Sequence, residues 1–205
     1  DWNDGMNLVG AGGQGESIWL GWFLITNLEA FAALAAARAD DAAARWRSAA
    51  EQVKAALEAH GWDGAWYRRA YYDDGTPLGT ATADECQIDS IAQSWAVISG
   101  AAPAERARQA MQSLETHLVR AADGLVLLLT PPFNTADPSP GYIQGYVPGI
   151  RENGGQYTHA ALWAILAYMQ QGNGDRAGEL FRLINPIYHA DSVSYTHLRA
   201  HETKA

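Results

Sequence analysis

Two short stretches of this chain carry residue types suited to chemistry on sugars. DWNDG, residues 1–5, sets Asp1 and Asp4 on either side of the indole of Trp2 in a tight, glycine-ended segment. GYVPGIRENGGQYTH, residues 145–159, gathers Tyr146, Arg151, Glu152 and His159 around a Gly-Gly bend just ahead of an apolar run. Cleaving a glycosidic bond needs a proton donor for the departing oxygen, and sugar rings pack their C–H faces on aromatic surfaces. A carboxylic acid keeps its proton at neutral pH only when desolvated or set beside another negative charge. An adjacent indole supplies the first condition, and a bound phosphate would supply the second. Most such reactions use a second carboxylate as base or nucleophile. When phosphate is the nucleophile that carboxylate is dispensable, and the protein must offer a cationic or hydrogen-bonding cradle instead. Arg151 and His159 flank the Gly-Gly bend, and a donor in the first turns of a helix suits an anion.

Each of these residues has a plainer reading. Asp1 and Asp4 are also ordinary turn caps. His159 also fits a satisfied core histidine, Arg151 a surface ion pair, and Glu152 a helix-start residue drawn by the macrodipole. Asp89 and Gln93, at i and i+4, share one face of a helix. They would either bind sugar hydroxyls or hydrogen-bond to each other. GAGGQG, residues 10–15, resembles a phosphate loop but lacks the preceding strand and the Lys-Ser/Thr, and is discounted. Cys86 has no cysteine partner and no nearby histidine, so no metal site is expected.

The elements that must position these groups are mostly helical. Helices are predicted over residues 14–38, 40–60, 87–99, 103–120, 155–171 and 174–183. Asp40 or Asp41 caps the second, Gly61 ends it, and Pro103 opens the fourth. The aromatic run WYRRAYY, residues 66–72, followed by a DDG turn, reads as a small hairpin, and LVLLLTPPF, residues 125–133, as an extended segment. The expectation is an all-α architecture of paired helices with one or two short β excursions. Two long irregular loops, residues 1–13 and 134–153, hold the candidate chemistry, and loops of that length tend to be functional.

The 205 residues suffice for one sizeable domain. A net charge of −9, with no Lys/Arg cluster, excludes a nucleic-acid partner. The sequence shows no signal peptide and no apolar run of membrane-spanning length. The lone cysteine excludes an internal disulfide and fits a reducing, cytoplasmic setting. Of the eight Trp and nine Tyr, more than half are expected to fill core, and the rest to offer platforms for sugar rings. The segment SVSYTHLRAHETKA, residues 192–205, lacks apolar periodicity and resembles a translated sequencing adapter. It is set aside as a non-native tail, together with His197 and His201, leaving 1–191 as the domain.

DWNDGMNLVG, GESIWLGWFL, ECQIDSIAQSWAVISG, GYVPGIRENGGQYTHAALW and NGDRAGELFRLINPIYHAD, in that order, resemble glycoside hydrolase family 94, the inverting glycoside phosphorylases. The likeness is greatest to the phosphorylase domain of cyclic β-1,2-glucan synthases and spans residues 1–191. It implies an (α/α)6 barrel of which this chain supplies about half. It implies that Asp4 is the general acid and that Trp2 lines the subsite of the transferred glucosyl unit. It implies that Tyr146 and Arg151 face the acceptor sugar with Glu152 close by, and that His159 contacts phosphate. A β-glucan or β-glucoside oligosaccharide and inorganic phosphate are then the partners, with no cofactor beyond that co-substrate. A synthase-type parent would be tethered at the inner membrane. Family members contribute further sugar- and phosphate-binding residues from outside this stretch, so the chain alone is expected to be inactive. The competing reading is an inverting hydrolase on the same barrel, with Glu152 or Asp89 as the second carboxylate.

Overall fold

A computed structural model of the chain describes residues 3–189. Asp1, Trp2 and the tail with His197 and His201 lie outside the described residues. The elements run β1 (Glu16–Ser17), α1 (Ile18–Ala37), α2 (Ala42–His60), β2 (Ala70–Tyr71), β3 (Pro77–Leu78), β4 (Ile88–Asp89), α3 (Ser90–Ile98), α4 (Ala104–Leu118), β5 (Val119–Arg120), β6 (Leu125–Val126), β7 (Leu129–Thr130), α5 (Thr158–Gln170) and α6 (Gly174–Ile184). Three 3-10 turns, Asp4–Met6, Tyr142–Gly145 and Pro186–His189, complete the elements of the described residues.

The six helices form two layers. In one, α3 packs between α1 and α5; in the other, α2 covers α1, α4 covers α3, and α6 covers α5. One core lies among α3, α4, α5 and α6, built on Val97, Met111, Leu114, Leu118, Ala164 and Leu180. A second lies among α1, α2 and α3, around Trp22, Ile25, Leu57, Tyr67 and Ala96. Trp19, Trp22 and Trp66 are buried, and the Trp66 indole N–H donates to the carbonyls of Gly79 and Gln87. Cys86 is a buried free thiol.

Among the described residues, strands are more numerous than the expected one or two: seven, each of two residues, in three small sheets ordered β1-β2-β3, β4-β7 and β5-β6. They also move helix starts. The predicted helices at 14–38, 87–99 and 155–171 begin at Ile18, Ser90 and Thr158. The residues just before the first two helices spend their backbone groups on antiparallel pairing, Glu16 with Tyr71 and Asp89 with Leu129. Before α5, the Gly155 carbonyl accepts from Leu128 N–H instead of starting a helical ladder.

One buried cation aligns two of these starts. Arg69 is fully buried, with Nε 3.2 Å from Asp89 Oδ2 and Nη1 donating to Ser17 Oγ at 3.1 Å. Ser17 and Asp89 are the N-caps of α1 and α3, their side chains accepting from Leu20 N–H and Ile91 N–H. A cation so near two helix N-termini is repelled by both macrodipoles, so the Asp89 carboxylate is what makes the position tolerable. The third helix of that layer is joined through the backbone, because Ser90 N–H donates to Leu128 O and Leu128 N–H to Gly155 O.

The flanking helices of the layer carry exposed apolar faces. On α1 these are Leu20, Leu24, Phe31 and Leu34, and on α5 Leu162, Leu166 and Met169; α3, in the middle, exposes no large apolar side chain. With 20 residues and a mean hydropathy of 1.5 over its apolar window, α1 is long and apolar enough to cross a membrane, which corrects the expectation that no such run exists. Its composition follows from its packing, since Trp22 and Ile25 are buried against its neighbours while the opposite face adds a second apolar stripe. A core helix meets the same length and composition test.

Replacing Asp89 by Ala should destabilise the fold by about 3–5 kcal/mol, because it removes the carboxylate facing the buried Arg69 guanidinium and uncaps α3. Urea unfolding of the folded protein measures this, and a loss below about 1 kcal/mol would remove the pair from its aligning role.

Candidate active site

The Asp4 turn is built from its own sequence. The Asn3 side-chain oxygen accepts from Gly5 N–H at 3.0 Å, and the Asn3 carbonyl accepts from Met6 N–H, closing a 3-10 turn that leaves Asp4 solvent-exposed. The small residue after Asp4 is required, since a Cβ on Gly5 would lie 2.9 Å from the Ile143 Cβ. The turn thus docks flat on the second 3-10 turn, Tyr142–Gly145. Asn7 Oδ1 accepts from Tyr142 N–H at 3.1 Å, and Leu8 N–H donates to Pro140 O at 3.1 Å. Gly141, at φ 126°, lets the backbones meet, because a Cβ there would collide with Asn7 and the Gly5 carbonyl.

Residues 149–155 form the opposite wall. Gly149 N–H donates to Asn153 O at 2.8 Å, and Asn153 N–H to Ile150 O at 3.0 Å. Arg151 at the tip has φ 54°, a left-handed conformation that costs a non-glycine residue about 1 kcal/mol or more and is held by these bonds. Fully buried Asn153 locks the loop: its Oδ1 accepts from Phe133 N–H, and its Nδ2 donates to the carbonyls of Phe133 and Tyr146.

Asp4, Tyr146, Arg151, Glu152 and His159 thereby come together in one cavity of about 300 Å³, which Asn3, Tyr142 and Tyr157 also line. The Arg151 guanidinium lies 4.7 Å over the Tyr146 ring, and its Nε is 3.5 Å from Glu152 Oε2. Tyr157 donates its hydroxyl to Glu152 Oε1 at 3.2 Å. His159 sits in the first turn of α5, its ring against Tyr157 and Trp163. Desolvation lowers the His159 pKa below the ordinary 6.5, with the Glu152 charge pulling it partly back. The imidazole is therefore neutral at pH 7 and offers one N–H donor and one acceptor. Desolvation, assisted by nearby carboxylates, raises the phenol pKa of Tyr142 and Tyr157, so both remain O–H donors. The lining combines two carboxylates, one guanidinium, a neutral imidazole and three phenols.

Asp89 and Gln93, read as either sugar-binding or hydrogen-bonded to each other, lie apart from this cavity. Neither lines the cavity, and both are buried in the α3 start. Asp89 pairs with Arg69; burial raises its carboxyl pKa, and Arg69 and the Ile91 N–H pull it down. The Gln93 amide takes both backbone groups of Tyr67, accepting from its N–H at 2.8 Å and donating to its carbonyl at 2.7 Å. It also donates to the Asp89 carbonyl rather than to the Asp89 side chain. Tyr142, Tyr157 and Asn3 line the cavity without having been singled out in the sequence. Tyr157 had a signal, two residues before His159 in the same motif, whereas Tyr142 is brought in by contacts with the distant Asp4 turn, among them that of Asn7. GAGGQG does hold an anion through its backbone, but it is the chain's own Asp73, whose carboxylate accepts from the N–H groups of Gly12, Gln14 and Gly15. Among the described residues no group of three or more His, Cys, Asp or Glu could hold a metal.

A mostly helical scaffold thus brings a carboxylic acid, a histidine and three tyrosines to one cavity. The chain belongs to the glycosyl hydrolase 94 superfamily, whose catalytic-domain model matches residues 1–202. It is 52% identical to the cyclic beta-(1,2)-glucan synthase NdvB of Rhizobium meliloti over 97% of this chain and 7% of that protein. It is 39% identical to a solabiose phosphorylase of Paenibacillus borealis over 91% of this chain and 24% of the relative. It is 35% identical to an N,N'-diacetylchitobiose phosphorylase of Vibrio furnissii over 94% of this chain and 24% of the relative. The chain thus spans about a quarter or less of each relative's length.

Because Glu152 raises the His159 pKa against desolvation, Glu152→Gln should lower it further. In the folded protein the His159 ring proton shifts should titrate below pH 6.5, and lower still in the variant. This desolvation also destabilises the fold as pH falls from 6.5 through the folded value, where the unfolded chain binds the proton more readily. Titration at or above 6.5 would contradict the desolvation of His159 at the cavity wall.

Proposed function

We propose that the whole protein carrying this chain is an inverting glycoside phosphorylase. In this reading Asp4 gives its proton to the glycosidic oxygen while that bond breaks. A phosphate oxygen attacks the anomeric carbon from the opposite face, releasing α-glucose 1-phosphate and a sugar chain shortened by one unit. The observation that carries the reading is the shared cavity of Asp4 and His159, the groups assigned to the proton and the phosphate. Tyr146 and Arg151 are read as the acceptor-side wall, with the guanidinium held over the Tyr146 ring. Glu152 is read as their tether. Trp2, for the transferred glucosyl unit, stays an expectation from the resemblance.

Charge accounting supports a further expectation. The cavity lining carries two carboxylates against one guanidinium, and that guanidinium already faces Glu152. A neutral His159 can hydrogen-bond phosphate but not neutralise it. Further donors for phosphate are therefore assigned to parts of the protein outside this chain, which is read as inactive by itself. Asp4 is exposed here, so bound sugar and phosphate are assigned the desolvation and negative charge that would keep it protonated.

The architecture is read as part of an (α/α)6 barrel. The apolar flanks of α1 and α5, either side of an enclosed α3, are where neighbouring helical hairpins would pack. In that setting α1 is a barrel helix rather than a membrane span. The relative named as a cyclic beta-(1,2)-glucan synthase favours β-1,2-glucan as substrate. A cytoplasmic catalytic domain, tethered at the inner membrane in a synthase-type protein, fits that choice.

One observation favours a second reading, an inverting hydrolase: Glu152 lines the same cavity as Asp4 and is the candidate base, whereas Asp89 does not line it. Product analysis of the full-length enzyme with and without phosphate separates the two. Glucose 1-phosphate formed only with phosphate supports the phosphorylase, and free glucose released in phosphate-free buffer supports the hydrolase. Asp4→Asn should lower turnover by about 10²–10⁴ without unfolding the protein. Turnover like that of the unaltered enzyme would end the proposal.

A further inference from the structure

We propose that Glu85 is a positioning residue for the acceptor-side wall of the cavity, fixing Tyr142 and Tyr146 from outside it; the substrate part of this inference rests on the phosphorylase reading above. Glu85 does not line the cavity. Its carboxylate instead gathers the opening of the 134–153 loop, accepting from Asn134 N–H at 2.8 Å, Thr135 N–H at 2.9 Å, Ala136 N–H at 3.0 Å and the Thr135 hydroxyl at 3.1 Å. Three consecutive amides converging on one carboxylate need an acceptor-only group with two oxygens, which among side chains means ionised Glu or Asp.

The constraint is passed along the loop. Gln144, inside the turn that separates Tyr142 from Tyr146, donates its amide to the Asn134 carbonyl at 3.2 Å, so the turn is tied to the segment that Glu85 holds. Ala136 and Tyr146 pack on the same small core as Phe133, Ile143 and Cys86. Glu85 is itself fixed by its neighbour. Cys86 is fully buried, has φ 47° and donates its N–H to Pro131 O at 2.7 Å. A left-handed backbone at a non-glycine residue persists only where its surroundings impose it. Here it turns the chain so that Glu85 faces the loop. Partial burial works to raise the Glu85 carboxyl pKa, but the Asn134, Thr135 and Ala136 donors hold it below the usual range, so the clamp is charged throughout neutral pH.

The site needs this because residues 134–141 have no regular structure of their own, yet the Tyr146 ring must stay beneath Arg151. Displacements of about 1 Å at substrate-positioning groups cost large factors in rate or affinity. The test compares Glu85→Gln and Glu85→Asp in the full-length enzyme, measuring KM for the oligosaccharide and for phosphate, the thermal midpoint, and hydrogen exchange at residues 134–146. Glu85→Gln points an amide NH2 at backbone donors. It should raise the oligosaccharide KM about tenfold while leaving the phosphate KM within about twofold, and speed exchange at Thr135, Ala136 and Tyr146. Glu85→Asp keeps the charge with a shorter reach and should recover part of the loss. Unchanged oligosaccharide KM, or both KM values moving together with a lowered thermal midpoint, overturns the proposal. If the unaltered enzyme performs no phosphorolysis the functional reading fails, and exchange then decides for Glu85 alone. Faster exchange confined to 134–146 sustains it, and unaltered exchange rejects it.

Discussion

The buried contact of Arg69 with Asp89 and Ser17 is the constraint from which the rest of this structure follows. A fully buried guanidinium between two helix N-termini is unfavourable unless a carboxylate meets it. Asp89 meets it with one oxygen while capping α3 with the other, and Ser17 caps α1 while accepting from the same cation. The starts of α1 and α3 are thereby registered against each other, and α5 joins them through Leu128. The groups in the cavity are carried by the first turn of α5 and by loops that lead into this end of the helix layer, so their mutual geometry depends on it.

Above that base the site is held by side chains that take no part in lining it. Asn153 joins Phe133, Tyr146 and the 149–155 turn with three hydrogen bonds, all buried or nearly so. Asn7 joins the Asp4 turn to Tyr142, and Asp73 and Glu85 anchor the two loops to the 62–86 excursion through backbone amides. The exposed Asp4 and the strained Arg151 are thus mounted on rigid supports although both stand on loops. Pre-organisation of this kind is what positioned proton transfer requires, because a misplaced donor loses most of its advantage.

Much of this was legible in the sequence, and the remainder has physical causes. All six helices were found from period and caps, because those signals are local. Their starts at Ser90 and Thr158 were misjudged by about three residues, because pairing with Thr130 and Leu129, or the Gly155 bond to Leu128, depends on residues far along the chain. The two chemistry-bearing loops were recognisable from residue types. Their meeting, Asn7 with Tyr142 across 135 residues, was not. Asp89 and Gln93 show the limit of helical spacing: i and i+4 place two side chains on one face without saying whether that face meets solvent, substrate or core. Their partners, Arg69 and Tyr67, were visible only as members of an aromatic run. The membrane-like hydropathy of α1 departs from the expectation of no spanning run, because Trp, Gly and Thr interrupt its aliphatic residues.

The central claim is that Asp4 supplies the proton for the departing oxygen, and leaving-group dependence probes that step most directly. The full-length Asp4→Asn enzyme should be assayed with its natural glucan and with β-glucosyl fluoride, whose fluoride departs with little need of a proton. Phosphorolysis of the glucan should fall by about 10²–10⁴ while the fluoride is still converted to α-glucose 1-phosphate at a rate near that of the unaltered enzyme. An equal loss on both substrates would contradict it, assigning Asp4 to binding or structure instead of proton transfer.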